Sequence, residues 1–177
     1  ILHPYNKISE VQRKFMTTIK SENVFNIAIK GSFDDCQNII KKIFSDNDYK
    51  KEKSLTAINS INWSRIMCQM VYYFYTLSRI KSKDKKVLFS VPTGNFGDIL
   101  AGYISKKMGL KIDMLNIATN DNDILTRTLM TGRHQLQGVI ETTSPSIDIQ
   151  ISSNFERLLY DITQDSNYVS NLMNELK

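Results

Sequence analysis

The stretch VLFSVPTGNFGDILAGYISKKMG, residues 87–109, decides the fold. Val87, Leu88, Phe89, Ser90 and Val91 form a short, mostly apolar run that suits a buried parallel strand. Pro92 and Thr93 end it, and Gly94-Asn95-Phe96-Gly97 turns the chain. A helix follows with Ile99, Leu100, Tyr103 and Ile104 at helical spacing, Lys106 and Lys107 in its last turn, and Gly109 as its stop signal. Strand, glycine turn and helix N-terminus in this order make an anion site when the freed N–H groups converge, because the helix dipole adds partial positive charge at the same spot. The pattern is neither a Walker A loop, since no Gly-Lys-Ser/Thr follows, nor GxGxxG. Asp98 would repel a phosphate that its side chain faced, so it is assigned to capping the helix. A Cβ at Gly94 or Gly97 would hold an anion off the amides or forbid a positive φ. On these residues alone the turn reads either as a phosphate cradle or as a plain strand-to-helix connection.

The flanking sequence repeats the alternation. Before the centre, residues 24–29 (VFNIAI) read as a strand, and Ser32 or Asp34 caps a helix carrying Phe33, Cys36, Ile39, Ile40 and Ile43 on one side. Ser9 caps a shorter helix upstream, and residues 45–54 read as a polar connection. Residues 55–58 read as a short strand leading into a helix from Ile61 to about Ile80. That helix is apolar around most of its circumference, which argues burial on more than one side. After the centre come a strand at 112–119, a helix at 124–130 ended by Thr131-Gly132, and an unpatterned stretch at 133–143. A final helix runs through Ile162, capped by Ser152 or Ser153, and the last dozen residues read as polar and frayed. The expectation is an α/β fold with a mostly parallel sheet and flanking helices. Ligands in such sheets sit beyond the carboxyl ends of the strands, which puts Asn59-Ser60, residues 94–97 and residues 120–123 on one rim.

A chain of 177 residues, 41% hydrophobic, is long enough for one cored domain. Its net charge of +5 comes mainly from lysines at positions 50, 51, 53, 81, 83, 85 and 86, interspersed with acids such as Asp84. No aromatic-interleaved basic stripe accompanies them, so a solvated surface is expected and not a nucleic-acid partner. No charged-then-apolar leader and no apolar run of roughly 20 residues is visible, so neither secretion nor a membrane is expected and the localisation is taken as cytoplasmic. Cys36 and Cys68 are read as buried, reduced thiols, and His3 and His134 share no metal-ligand spacing with other donors.

Five segments, in order, resemble one family. They are GSFDDCQNIIKKIF (31–44), NSINWSRIMCQMVYYFY (59–75), PTGNFGDILAGYISKKMGL (92–110), IATNDNDIL (117–125) and IDIQISSNFERLL (147–159). The sequence is similar to threonine synthase, a pyridoxal-phosphate (PLP) enzyme of the tryptophan-synthase-β-like fold (fold type II). The resemblance implies PLP as cofactor and the conversion of O-phosphohomoserine and water to L-threonine and phosphate. It implies that Gly94, Asn95, Phe96 and Gly97, with Thr93 as a hydroxyl donor, grip the cofactor's phosphate. Arg65 and Asn62, three apart at a helix start and so on one face, are candidates for the substrate. The Arg65 fork suits a phosphate or carboxylate, and a structural salt bridge or a surface arginine is the alternative. Asn120 and Asp123, beside Asn122, either line the substrate pocket or cap a helix. Asn154 and Arg157 read as packing or surface residues.

One family feature is missing. The lysine that carries the cofactor lies, in threonine synthases, in a serine- and phenylalanine-rich motif upstream of the matched region. None of the 17 lysines here has that context. Residues 1–177 are therefore expected to be the middle to C-terminal part of a PLP-dependent catalytic region, a fragment inactive alone. A threonine-synthase-like phospho-lyase, a serine/threonine dehydratase of the same fold, or a non-catalytic remnant binding a phosphorylated small molecule are the alternatives. The oligomeric state is left open.

Overall fold

The structure, a computed structural model, describes residues 1–81 and 85–175, apart from the side chains of Phe33, Asp34 and Glu175. The expected roles of Phe33 on a helix face, Asp34 as a cap, and Lys83 and Asp84 in a charged loop lie outside the described residues. The length suits one cored domain, but contacts divide the chain into two units, Ile1–Thr56 and Ala57–Lys177.

In the first unit, β1 (Leu2–Pro4) pairs in parallel with β2 (Ile27–Ile29), Leu2 opposite Ile27 and Pro4 opposite Ile29. Between them runs α1 (Glu10–Thr17), whose N-cap Ser9 accepts from the Gln12 amide. The expected strand at 24–29 is shortened to three residues, because the Val24 amide closes a turn on the Ser21 carbonyl. Ser32 caps α2 (Phe33–Ser45) in a reciprocal box with Asp35. The polar connection contains a short helix, α3 (Asn47–Glu52), nucleated by Asp46 accepting from the Tyr49 amide at 2.9 Å. A helix polar on all sides carries no hydrophobic period, so the sequence pattern passes over it.

The second unit holds α4 (Trp63–Arg79), β3 (Leu88–Pro92), α5 (Gly97–Lys107), β4 (Met114–Ala118), α6 (Ile124–Thr131), a 3₁₀ turn (Pro145–Ile147), α7 (Phe155–Thr163) and α8 (Ser166–Glu175). β3 and β4 pair in parallel from Leu88 opposite Met114 to Pro92 opposite Ala118, and the Thr93 amide extends the ladder to the Ala118 carbonyl. α5 is the crossover between them. Its Ile99, Leu100 and Ala101 join Ile66, Tyr73, Val91, Ile124 and Phe155 in one core. The close approach of α4 to α5 depends on Gly102: a Cβ there would come within 2.7 Å of the Tyr73 ring. That ring also packs edge-on against Phe89, 4.8 Å between centroids.

Four expectations are corrected in this unit. No strand forms at 55–58; the carbonyls of Ala57 and Ile58 instead accept from Asn62 and Arg65, and Ile58 is exposed. α4 buries one side only, through Ile66 and Tyr73, while Met67, Val71 and Tyr75 on its other apolar side stay exposed. Cys68 shares that exposure, whereas Cys36 is buried; both are free thiols. The tail is not frayed at its start, because Asp165 accepts from the Tyr168 amide at 2.9 Å to open α8, and Val169 is buried. Among the described residues no helix is long and apolar enough to cross a membrane.

Candidate functional site

The turn between β3 and α5 is built from backbone groups sorted to two sides. The carbonyl side is fully engaged. Gly94 O accepts from Ser152 Oγ at 2.8 Å. Asn95 O accepts from Asn154 Nδ2 at 2.9 Å and from the Asn154 amide at 3.2 Å. Phe96 O takes the Leu100 amide, and Asp98 O takes the Tyr73 hydroxyl at 2.9 Å. The amide side is open: among the described residues, the N–H groups of Gly94, Asn95, Phe96, Gly97, Asp98 and Ile99 meet no protein acceptor. A turn with free amides running into a helix N-terminus has the make-up of an anion nest.

The conformation that opens the turn falls at an unexpected residue. Phe96 has φ 62 and ψ 6, the left-handed region, while neither Gly94 nor Gly97 has a positive φ. The Phe96 ring is buried and meets Phe155 edge-on at 5.4 Å, so this residue faces the turn's mouth with backbone alone. Gly94 is required for space, since a Cβ would come within 2.9 Å of the Ile147 Cα; at Gly97 a Cβ would stand 3.6 Å from its nearest neighbours. Thr93 is buried and its hydroxyl proton goes to Val91 O at 2.6 Å, so it closes the strand end and is not a free donor. Asp98 does not cap α5. Its carboxylate accepts from the Tyr73 hydroxyl at 3.2 Å, and burial holds its pKa above the ordinary carboxylate value, with the Tyr73 hydrogen bond pulling the other way.

Asn154 is the hub of the rim. It is completely buried and donates from Nδ2 to both Ser60 O and Asn95 O at 2.9 Å, while its Oδ1 accepts from Arg157 Nη1. Arg157 Nη2 in turn donates to Ile61 O at 2.6 Å. The stretch at 59–61 and the turn at 94–97 are thus joined by a residue that reads, from the sequence, as a packing or surface residue. Ser152 and Ser153 read as helix caps; instead Ser152 grips Gly94 and Ser153 Oγ reaches Asn95 Oδ1 at 3.3 Å. The only local signal is a run of small polar residues before α7.

The substrate candidates occupy defined places. Asn62 caps α4, accepting from the Ser64 amide at 2.9 Å and donating to Ala57 O. Arg65 is exposed, with one 3.4 Å contact from Nη1 to Ile58 O, and forms no ion pair among the described residues. Asn120 donates to Thr142 Oγ1 and Asp148 Oδ1 at 2.8 and 2.6 Å and accepts from the Asn122 amide. Asp148 is desolvated, but hydrogen bonds from the Thr142 hydroxyl and amide and from Asn120 outweigh this and hold its pKa below the usual range. This network fixes the 140–148 segment, including the Ile147 that abuts Gly94. Asp123 precedes α6 without a capping bond and pairs with Arg127 at 2.7 Å. A separate cavity of about 870 Å³ is lined by Trp63, Tyr103, Met108, Tyr160 and Met173, and no residue of the turn borders it.

The parallel β3–α5–β4 arrangement, with its amide-lined turn beyond the strand end, defines the class: an α/β chain with a parallel strand–turn–helix–strand unit. No family model matches it. It is 52% identical over 162 residues to the threonine synthase of Pseudomonas aeruginosa, covering 92% of this chain and 34% of that protein. With the threonine synthase of Saccharomyces cerevisiae the identity is 51% over 174 residues, 97% of this chain and 34% of the relative. The crystal structure of PLP-bound threonine synthase from Brucella melitensis superimposes with a TM-score of 0.83 at 53% identity, over 99% of this chain and 38% of that one. The chain belongs to the threonine synthase family and spans about a third of the length of the curated relatives it matches.

Proposed function

We propose that residues 1–177 are the part of a threonine synthase that holds the phosphate end of PLP, in an enzyme converting O-phosphohomoserine and water to L-threonine and phosphate. The observation that carries the cofactor assignment is the row of open amides from Gly94 to Ile99 at the start of α5. PLP, when bound, supplies the electron sink for chemistry next to an amino-acid carbon. The residues of this chain bind and orient. Gly94, Asn95, Phe96 and Gly97 give amides to the cofactor phosphate, and Thr93 fixes the strand end that presents them. Arg65, exposed and unpaired by any carboxylate among the described residues, takes the phosphate or carboxylate of the substrate. Asn62 and Asn120 shape the wall by anchoring their loops, and Asp123 stands at the head of α6. The lysine that carries the cofactor comes from outside these residues, and the protein works in the cytoplasm.

Phosphate release from O-phosphohomoserine with added PLP is the test. The 177 residues alone are expected to release none; in the enzyme containing them and the lysine, Arg65→Lys is expected to raise KM about tenfold with the bound-cofactor spectrum unchanged. Release by the chain alone would overturn the division of labour, and wild-type kinetics in Arg65→Lys would remove Arg65 from the substrate site.

A further inference from the structure

We infer that Asn154 and Ser152 are positioning residues that aim the turn's amides by holding its carbonyls; this rests on the phosphate-cradle assignment above. A trans peptide is planar, so the carbonyl of one residue and the N–H of the next point in opposite directions. Fixing Gly94 O on Ser152 Oγ therefore aims the Asn95 N–H away from α7, and fixing Asn95 O on Asn154 aims the Phe96 N–H the same way. The second peptide leads into the left-handed Phe96, a conformation that a bulky residue leaves unless something holds it. Both grips come from side chains that are 3% exposed or less, and the Asn154 carboxamide spends both its protons on Ser60 and Asn95. The Asn154 Oδ1 is itself set by Arg157, which fixes the amide nitrogen toward the turn.

The arrangement works as a template made before the anion arrives: the donors need no rearrangement, and their orientation is encoded some 58 residues downstream. Asn154→Asp keeps the size and the Arg157 partner but replaces the two-proton donor with an acceptor oxygen facing the Ser60 and Asn95 carbonyls, so the Asn95–Phe96 peptide keeps only the 3.2 Å bond from the backbone amide at position 154 and is pushed off its aim. Ser152→Ala is the milder change and frees Gly94 O alone. Ser105→Ala is the control: Ser105 is equally buried, and its hydroxyl grips Ala101 O within α5, away from the turn.

The test titrates inorganic phosphate into the cofactor-free form of the enzyme containing these residues and follows its backbone amide NMR signals. In the wild type, signals of residues 94–99 move on phosphate addition. Asn154→Asp is expected to weaken that response about tenfold and Ser152→Ala about threefold, while Ser105→Ala leaves it unchanged although it loses a comparable buried hydrogen bond. Without phosphate, the Asn95 and Phe96 amide signals are expected to shift in the first two variants and not in the control. No response at 94–99 in the wild type would overturn the cradle, and the positioning role with it. A wild-type response that Ser152→Ala and Asn154→Asp both retain would overturn the positioning role alone. Should Asn154→Asp not fold, Ser152→Ala against Ser105→Ala decides.

Discussion

Phe96 concentrates the strain of the site in one residue. A non-glycine left-handed backbone costs about 1–2 kcal/mol, and a buried phenylalanine returns more than that. Phe96→Gly relieves the first and loses the second, together with the edge-on contact to Phe155. Chemical denaturation is expected to show a net loss of about 2–3 kcal/mol. Unchanged or higher stability would mean that the ring does not hold the turn. The sequence marks this turn by its glycines, and the turn is indeed where it points; the positive φ is misplaced because propensity assigns it to Gly by default. The buried partner that makes a phenylalanine tolerable there, Phe155, lies 59 positions away and is invisible to local pattern. Asp98 illustrates the same limit. An acid in the first turn reads as a cap, yet the Tyr73 hydroxyl claims its carboxylate.

α4 shows what periodicity conveys at the scale of an element. Its apolar residues cover most of the circumference, and the side carrying Ile66, Met70, Tyr73 and Leu77 packs into the core. The other side, with Met67 and Val71 at 51% and 60% exposure, has no cover within the described residues. Hydrophobicity names the faces that suit burial but not what buries them. Ile66→Ala is expected to cost about 2–5 kcal/mol, with unfolding measured in denaturant. Val71→Lys is expected to stay within about 0.5 kcal/mol of wild type. Equal losses in the two variants would show Val71 to be buried in solution. The same reasoning explains α3 and α8. α3 is a short polar helix with no apolar stripe to betray it, whereas α8 does carry one, Val169, Leu172 and Met173, behind the Asp165 cap, which its polar flanks mask.

At the scale of the molecule, the order of strands and helices around residues 87–118 follows from the sequence because each signal is local: apolar run, glycine turn, amphipathic helix. The bonds that finish the site are long-range. Asn154 reaches Ser60 across 94 positions, Arg157 reaches Ile61 across 96, and Ser152 reaches Gly94 across 58. Such contacts cost chain entropy to close and leave no spacing signature, so the sequence foretells a rim of three loops without the residue that ties two of them together. The division into Ile1–Thr56 and Ala57–Lys177 is of the same kind, fixed by contacts and not by composition. The likeness to threonine synthases spans both units.

The position of one phosphate tests the cradle most directly. A crystal structure of a protein containing these residues, grown with PLP, is expected to place the cofactor's phosphate oxygens about 3 Å from several of the amide nitrogens of residues 94–99. In that structure Gly94 O and Asn95 O remain bonded to Ser152 and Asn154. A phosphate seated elsewhere, with those amides still open or turned onto protein acceptors, would contradict it.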